Sequence, residues 1–566
     1  MIPALVLSVL LASLLLAMVR FGAPKWSFLV LGVLPPALLF FLAPGMRVYG
    51  YHGFIQSGIA YQILNGSLPP NSPLLAGMPG TYPWAGALVV AGIAKTLGIS
   101  LFWASAVLSI LALIALLLAT YRIGLLVTGD AESSLFGTTL SLYAFTFTQT
   151  VPDNPIRDSL RAILPLPFEE PRGAPILEKF NGCTAFPLGI ALYAIAFVFL
   201  LQLAKDNSPH PRRLAAFAAS LVAVAFVYPY LFPSMSLLCL VVVVLAWRSG
   251  GPGKRLAVHL SGAVLAAVAL ALPYFLQLKE GRSGPALELA VLPVLIRNLV
   301  VIVVTFLPLS ILIAWGRRPV REALRAQGGP ATIACVSVGA NLVLFAVLMA
   351  PLWSQHNFLL LAIFALGILG GTAFRALRQR ALPAALAVLS LFFIPFSLDC
   401  IHKARDWNDA PRDFLESGTV FEPSDPNQRA LYSWMRTKTD PRAVFVDTDL
   451  ALPVFGQRAL FVALPKHEEV KALTTKGGDG YSLDPRIFLK IVAGYSETLV
   501  DRRLRTARQL LAGEAPTSAD LAEVAASGPQ AYLVLRLISP NAERSRLPAF
   551  PVVFQNPAAT VVELPR

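Results

Sequence analysis

From Leu214 to Trp247 the chain reads LAAFAASLVAVAFVYPYLFPSMSLLCLVVVVLAW, a charge-free apolar run too long for one membrane crossing. A helix advances about 1.5 Å per residue and needs about 20 apolar residues to cross the hydrocarbon core. The segment Tyr228-Pro229-Tyr230-Leu231-Phe232-Pro233 interrupts the run. Each proline removes a backbone donor and crowds the preceding turn. The stretch therefore reads as two spans, Leu214–Val227 and Met235–Trp247, joined by a tight turn.

The same pattern recurs on both sides. Ile2–Val19, Ser27–Ala43, Leu101–Leu126, Leu135–Thr150, Ala185–Ala204, Leu256–Leu276, Leu292–Trp315, Ala331–Pro351, Phe358–Gly371 and Leu382–Leu398 complete a predicted set of about twelve spans. Composition agrees: of 566 residues, 56% are hydrophobic and 14% charged, more apolar surface than a soluble chain can hide. A net charge of +14 would suggest nucleic acid in a soluble protein. Here the basic residues gather in alternate short connectors: Arg20 and Lys25; Arg122; Lys205, Arg212 and Arg213; Arg248, Lys254 and Arg255; Arg317, Arg318, Arg321 and Arg325; Arg375, Arg378 and Arg380. Positive residues keep such loops in the cytoplasm, so the excess reads as topology and no nucleic-acid partner is expected. Both termini, and the long connectors Pro44–Ser100 and Val151–Thr184, then lie outside. Tyr82–Ile99 is apolar enough to cross, but a crossing there would reverse every later loop. It reads instead as a helix along the outer interface. The first apolar run has no early Lys or Arg and no small-residue cleavage site, so it reads as a retained span.

Charge rises sharply after Leu398, which divides a transmembrane domain over 1–398 from an extracytoplasmic α/β domain over 399–566. Helices are expected at Pro426–Lys438, Pro485–Leu511 and Ser518–Ala526, and strands at Ala443–Asp447, Arg458–Ala463, Ala531–Leu535 and Val552–Val562. The acidic residues of this domain are dispersed along the chain, without a nucleophile or phosphate-loop motif. It reads as a small α/β domain docked on the outer face. Of four cysteines, Cys239 and Cys335 fall within spans and read as core. Cys183 and Cys400 fall at outer span ends, where an oxidising compartment could join them. None has metal-ligand spacing.

The order of parts resembles the GT-C superfamily of integral membrane glycosyltransferases: a long first outer loop with interface helices, a second outer loop two spans later, a bundle of about a dozen helices, and a C-terminal outer domain. Tyr51-His52-Gly53-Phe54, Tyr61-Gln62-Ile63-Leu64-Asn65-Gly66, Pro69-Pro70-Asn71-Ser72-Pro73 and Tyr82-Pro83-Trp84 are similar to the first loop of a bacterial branch. Pro171-Arg172-Gly173, Glu178-Lys179-Phe180-Asn181, Phe186-Pro187-Leu188-Gly189 and Ser354-Gln355-His356-Asn357-Phe358 resemble the same branch. The resemblance implies an α-helical polytopic protein of the bacterial inner membrane. It would transfer a sugar from a polyprenyl-phosphate-linked donor to an extracytoplasmic acceptor, with membrane lipids as its other partners. Family members carry an acidic residue early in the first loop as base or metal holder. No Asp or Glu lies between Pro44 and Ser100 here, so that assignment does not carry over and the metal is left open.

Such a transfer needs a base for the acceptor and cations for the leaving phosphate. His52 is the candidate base of the first loop, although a histidine there can equally be a plain interface hydrogen-bonder. The second loop supplies Asp153, Asp158 and the pair Glu169-Glu170. That pair could activate a hydroxyl or hold a divalent cation; the bland alternative is a solvated loop. Arg172 and Lys179 are candidate phosphate ligands in the same loop. Arg297 lies inside a span, where a charge marks a function or a partner, or snorkels to the interface. His356 could complete the pocket or be an ordinary interface residue. A catalytically silent assembly partner of the same fold is the first rival reading, argued from the missing first-loop acid. A lipid or polysaccharide transporter is the second, but the sequence shows neither inverted repeats nor midplane charges.

Overall fold

The computed structural model describes residues 2–20, 51–143, 180, 184–283, 288–349, 356–409, 414–417, 420–464, 489–490, 493–514, 516–536 and 550–565. Its first half is helical: α1 (Ile2–Arg20), α2 (Tyr51–Leu64), α3 (Ala85–Leu97), α4 (Leu101–Thr128), α5 (Ala131–Tyr143), α6 (Phe186–Asp206), α7 (Pro211–Val227), α8 (Phe232–Ser249) and α9 (Gly251–Glu280). There follow β1 (Glu288–Leu289), α10 (Leu292–Trp315), α11 (Arg317–Gln327), α12 (Gly329–Val347), β2 (Leu348–Met349), α13 (His356–Arg380) and α14 (Leu382–Asp409), with β1 and β2 paired antiparallel. Among the described residues, six helical segments are long and apolar enough to cross a membrane: α4, α6, Pro229–Ser249, α9, α12 and α13. A seventh is α10, where Leu292–Val303 and Thr305–Trp315 meet at 45°. Pro308 lies in α10 and its ring crowds the carbonyl four residues back, which places the bend at Val304. The chain is a multi-pass membrane protein. The expected spans Ser27–Ala43 and part of Leu135–Thr150 lie outside the described residues.

Helix α13 is the centre of the bundle, with 94% of its apolar window buried. It meets α5 at backbone contact distance because small residues face one another. A Cβ on Gly367 would lie 2.5 Å from the Ser141 nitrogen, and one on Gly137 would lie 2.9 Å from the Ile368 carbonyl oxygen. Ser141 Oγ donates to the Phe364 carbonyl at 2.7 Å. With no hydrophobic drive between helices in lipid, such close approach and such hydrogen bonds supply the association energy. Cys239 is buried as expected. Cys335 is not core: it sits on the exposed face of α12, where a small apolar thiol suits lipid. Cys183 and the side chain of Cys400 lie outside the described residues.

Tyr82–Ile99 contains a helix, as expected: α3, which Gly98 ends in the left-handed region (φ 65°) and Ser100 separates from α4 by accepting from the Trp103 N–H. The basic connector after α10 differs from its sequence reading, being helix α11 rather than a loop: Val320 is buried and Leu324 packs on the bundle core, so an apolar stripe holds it helical.

Beyond α14 the domain comprises the hairpin β3 (Phe414–Ser417)–β4 (Val420–Pro423), α15 (Pro426–Lys438), β5 (Val444–Val446), the single turn α16 (Leu452–Phe455), β6 (Ala459–Leu460), α17 (Glu497–Leu511), α18 (Ser518–Ala526), β7 (Ala531–Arg536), β8 (Val552–Gln555) and β9 (Ala559–Glu563). Five strands form one sheet in the order β6-β5-β7-β9-β8, with β5 parallel to β6 and β7 and the other pairs antiparallel. Of the expected helix Pro485–Leu511, α17 forms Glu497–Leu511, and Gly494 turns the chain before it at φ +69°; residues 485–488 and 491–492 lie outside the described residues. The cap of α18 is Thr517, which forms a reciprocal capping box with Asp520. Val552–Val562 is two strands folded back at Asn556, whose Oδ1 accepts from the Ala558 and Ala559 N–H groups.

The sheet does not stop at β6. Leu460 N–H donates to the Pro73 carbonyl (3.0 Å), Ala76 N–H to Leu460 (2.8 Å) and Ala463 N–H to Leu74 (2.9 Å). The first long connector thus adds its own extended segment to the edge strand, and the exposed edge is covered rather than left open. Pro453 of α16 packs on Gly58 of α2, and one apolar core runs from Ile55, Ile59 and Tyr61 through Leu74 and Leu75 to Phe445, Leu533 and Val562. The C-terminal domain and the first connector are one packed unit at one end of the bundle.

Candidate functional site at the domain junction

The segment Gly80–Ala85 is the seam between that unit and the spans, and polar contacts pin it from both sides. Trp84 and Ala85 N–H groups donate to the Tyr274 hydroxyl near the end of α9 (3.0 and 3.3 Å). Trp84 Nε1 donates to Gln277 Oε1 (2.8 Å), and Gln277 Nε2 returns to the Gly80 carbonyl (3.3 Å). From α2, Gln56 Nε2 donates to the Pro83 carbonyl (3.3 Å). These anchors set Tyr82 beside Tyr230 and Tyr228, which stand in the turn between α7 and α8. The rings of Tyr228 and Tyr230 are 5.7 Å apart. Phe186 meets Tyr228 edge-on at 5.5 Å, and Gly189 leaves room for it: a Cβ there would be 2.4 Å from that of Tyr228. Asn357, at the start of α13, donates from Nδ2 to the Tyr228 hydroxyl (3.3 Å). Burial, then the neighbouring Tyr230, pushes the Tyr82 phenol well above its ordinary range. Tyr82 is therefore neutral at neutral pH and serves as a hydrogen-bonding hydroxyl on an aromatic wall, not as a base.

Arg282 follows Gly281, which packs on Thr81, the residue before Tyr82. Helix α9 ends at Glu280, and Gly281 passes so close to Thr81 Cγ2 and Tyr495 that a Cβ would lie 3.0 Å from each. Arg282 then lies across Gly494: a Cβ on that glycine would meet Arg282 Cγ and Nε at 2.9 Å. Ser283 holds the crossing by donating from N and Oγ to the Gly494 carbonyl (2.7 and 3.0 Å), and the Tyr495 hydroxyl donates to the Pro79 carbonyl (2.7 Å). Arg282 Nε and Thr81 Oγ1 are buried there without a hydrogen-bond partner among the described residues. Leaving a buried guanidinium N–H unpaired is costly.

The residues expected from sequence fare unevenly. His52 lies in α2, but its side chain is outside the described residues, as are Glu169, Glu170, Arg172 and Lys179. His356 opens α13 and precedes Asn357, the residue that donates to Tyr228. Arg297 is engaged by its neighbour: Nε and Nη2 donate to Asn298 Oδ1 (3.2 and 2.9 Å), while Asn298 Nδ2 donates to the Phe345 and Ala346 carbonyls at the end of α12 (both 3.1 Å). The sequence reading passed over Gln56, Tyr82, Tyr228, Tyr230 and Arg282. A signal was present: Tyr82-Pro83-Trp84 and Tyr228-Pro229-Tyr230 are the same Tyr-Pro-aromatic pattern, and the two meet in space. Among the described residues no three His, Cys, Asp or Glu side chains stand together so as to hold a metal ion.

The acidic residues of the C-terminal domain, dispersed along the sequence, are partly gathered by the fold. Arg536, at the end of β7, donates from Nε and Nη2 to the two oxygens of Asp447 (2.8 and 2.7 Å) and from Nη2 to the Tyr432 hydroxyl (2.9 Å). It also pairs with Asp449 at 3.1 Å, and Tyr432 in turn donates to Asp449. This cluster occupies the carboxyl edge of the parallel strands and braces the loop that carries α16 onto α2.

Arg503 fastens the first connector to the domain. It is 6% exposed, donates from Nη1 to the carbonyls of Ala76 (2.7 Å) and Phe461 (3.3 Å), and pairs through Nε with Glu523 (3.2 Å). Arg503→Ala is expected to cost about 2–4 kcal/mol, since it orphans two carbonyls at a buried seam and empties the space of the side chain, although Glu523 keeps its pair with Arg502. Amide hydrogen exchange at Leu74–Ala76 should accelerate markedly; unchanged protection would show that the apolar core alone holds the seam.

No protein-family model and no curated protein matches the chain. Solved structures do. ArnT from Cupriavidus metallidurans in the apo state is similar at a TM-score of 0.53 and 14% identity, over 96% of this chain and 98% of that one. The same protein bound to undecaprenyl phosphate is similar at a TM-score of 0.52 and 14% identity, over 95% and 98%. With both the bundle and the C-terminal domain included in that span, the chain has the fold of these structures.

Proposed function

We propose that this protein transfers a sugar from a polyprenyl-phosphate-linked donor to an acceptor on the face of the membrane where the C-terminal domain lies. The observation that carries the reading is Arg282, whose buried Nε has no hydrogen-bond partner among the described residues and which follows Gly281, packed on Thr81 next to Tyr82. A phosphate at the lipid–water interface would supply the missing acceptor atoms, and a wall of Tyr82, Tyr228 and Tyr230 suits the faces and hydroxyls of a sugar. A whole-chain likeness to a protein solved with undecaprenyl phosphate supports a polyprenyl lipid as the carrier. Arg172, Lys179 and Arg297 would add positive charge for the leaving phosphate, with His356 at the rim. The base would come from His52 or from Glu169 and Glu170. The C-terminal domain, fused to the first connector, would shape the acceptor side.

Orientation follows from charge. The contacts of Leu101, Ala185, Tyr228, Tyr274 and Asn357 all lie at the C-terminal-domain end, so the connectors α4–α5, α6–α7, α8–α9, α10–α12 and α13–α14 lie at the other. Those are the basic ones, which supports a cytoplasmic placement for them and a periplasmic one for the domain in a bacterial inner membrane.

Binding of undecaprenyl phosphate to the purified protein tests the site. Arg282→Gln is expected to weaken it about 10- to 100-fold, the worth of a charge-assisted hydrogen-bonding cation, with Arg282→Lys in between. Unaltered affinity in a folded Arg282→Gln protein would remove Arg282 from the proposal. A silent assembly partner is favoured by one observation, the absence of Asp and Glu between Pro44 and Ser100. Alanine variants at His52, Glu169 and Glu170 decide between the two: if none changes any cell-envelope glycan while the protein accumulates normally, the enzymatic reading falls.

A further inference from the structure

The end of the bundle opposite the C-terminal domain carries a feature that glycosyl transfer does not use. Helix α11 connects the last turn of α10 to the first of α12 and lies against the bundle's end. Gly316, just before it, abuts Ala373 of α13, and Gln327 at its last turn fills the space beside Gly129, after α4. Val320 is buried and Leu324 packs on the core. The face that flanks them presents Arg317, Arg318, Arg321 and Arg325, all exposed. At about 100° per residue these arginines fall within a stripe of about 100°, centred roughly a right angle from Val320 and Leu324, with Glu322 about 40° beyond its edge.

Charge balance at this end leaves the stripe uncompensated. Asp130 and Glu132 are engaged by Arg375 and Arg378, and Asp206 by Arg213. Arg380 lies over the Trp315 ring at 5.5 Å. Glu322 is the remaining carboxylate of these connectors, and no ion pair within 4 Å joins it to the stripe among the described residues. The depth is fixed by the neighbouring spans: Ile311 and Trp315 of α10 are exposed as lipid-facing residues, so the stripe begins where the apolar belt ends.

We propose that α11 is a binding surface for anionic phospholipid headgroups of the leaflet opposite the C-terminal domain. An amphipathic helix fixed at headgroup depth, its apolar side spent on its own bundle, offers its arginines to phosphodiesters already concentrated in that plane. Guanidinium groups suit this role because they take phosphate oxygens in pairs.

The test uses the full chain in nanodiscs of phosphatidylcholine mixed with phosphatidylglycerol, reading the phosphatidylglycerol retained per protein after transfer to detergent. The joint variant R317Q/R318Q/R321Q/R325Q is expected to retain about tenfold less. The matching Arg→Lys variant should retain most of it. R212Q/R248Q/R255Q, which removes charge from other connectors of the same end, should change retention less than about twofold. Raising salt to about 1 M, where screening acts within about 3 Å, should strip the lipid from the wild type. Equal retention by the glutamine variant overturns the proposal. So does displacement of lipid by inorganic phosphate at low concentration, or an acidic protein or nucleic acid occupying α11 in place of lipid. Should the glutamine variant fail to accumulate, salt-resistant retention by the wild type would overturn it by itself.

Discussion

Replacing Gly371 by leucine is expected to leave almost no folded protein in the membrane. A Cβ at that position would lie 2.1 Å from the Ser133 carbonyl oxygen and 2.4 Å from the Gly137 nitrogen. Both are backbone atoms of α5, so no side chain can swing away, and α13 and α5 must separate. Separation forfeits the Ser141–Phe364 hydrogen bond and the contact of Phe136 with Phe374, whose ring centroids are 4.6 Å apart. Because α13 is the central helix, the gap opens inside the bundle and not at its lipid-facing rim. We expect a cost above about 4 kcal/mol, beyond ordinary overpacking and comparable with the whole stability margin. Gly371→Ala should already be strongly destabilising. Gly262→Ala and Gly339→Ala meet nothing within 4 Å and should be neutral to slightly stabilising, since alanine is the better helix former. Melting temperatures in detergent would show the contrast; similar values for Gly371→Ala and Gly262→Ala would refute the close-packing account.

What was legible in the sequence follows from the range over which each signal acts. Local signals were sufficient for the turn Tyr228–Pro233, for α15 at Pro426–Lys438 and for α3 within Tyr82–Ile99, because prolines, caps and apolar periodicity are short-range. Helix α11 was hidden because its arginines dominate its composition, while the stripe of Val320 and Leu324 that makes it helical is only two residues wide. Arg297 drew notice because it interrupts a span, yet its partner is the adjacent Asn298, itself bonded to α12, a contact no spacing rule supplies. Arg282 drew none, since an arginine just past a span is ordinary. Its interest comes from Gly494 and Thr81, far away in the chain, which leave its Nε buried. The two Tyr-Pro-aromatic triplets were readable as words but not as a pair, because their meeting depends on how α2 and α9 hold Gly80–Ala85.

Arg536→Met is the second change expected to have a large effect, and its pH dependence separates an electrostatic cause from a packing one. Asp447 is fully buried, and burial holds its carboxyl above the ordinary range even though the paired guanidinium of Arg536 pulls it back. Burial opposes the charge on Arg536 too, but Asp447, then Tyr432 and Asp449, outweigh it and raise its pKa, so the cation persists at all accessible pH. Removing that cation leaves Asp447 and Asp449 facing one another in a site closed by Tyr432. The expected loss is about 3–5 kcal/mol, the usual consequence of stranding a buried charge. The sign with pH follows from linkage. In the variant the folded-state pKa of Asp447 rises further above its unfolded value of about 3.9, so the folded chain holds a proton that the unfolded chain releases. Stability of the variant is then fully present below about pH 4 and is lost as pH rises through the folded value, so its deficit against the wild type widens from acid towards neutral pH. Adding Asp447→Asn removes the stranded charge and should recover most of the loss and flatten the pH dependence. A deficit equal at every pH, and untouched by Asp447→Asn, would mean that Arg536 acts only as a spacer. The loop after Asp447 carries α16 onto α2, so limited proteolysis of the variant should cut in that loop before the spans unfold, tying the cluster to the seam where Arg282 lies.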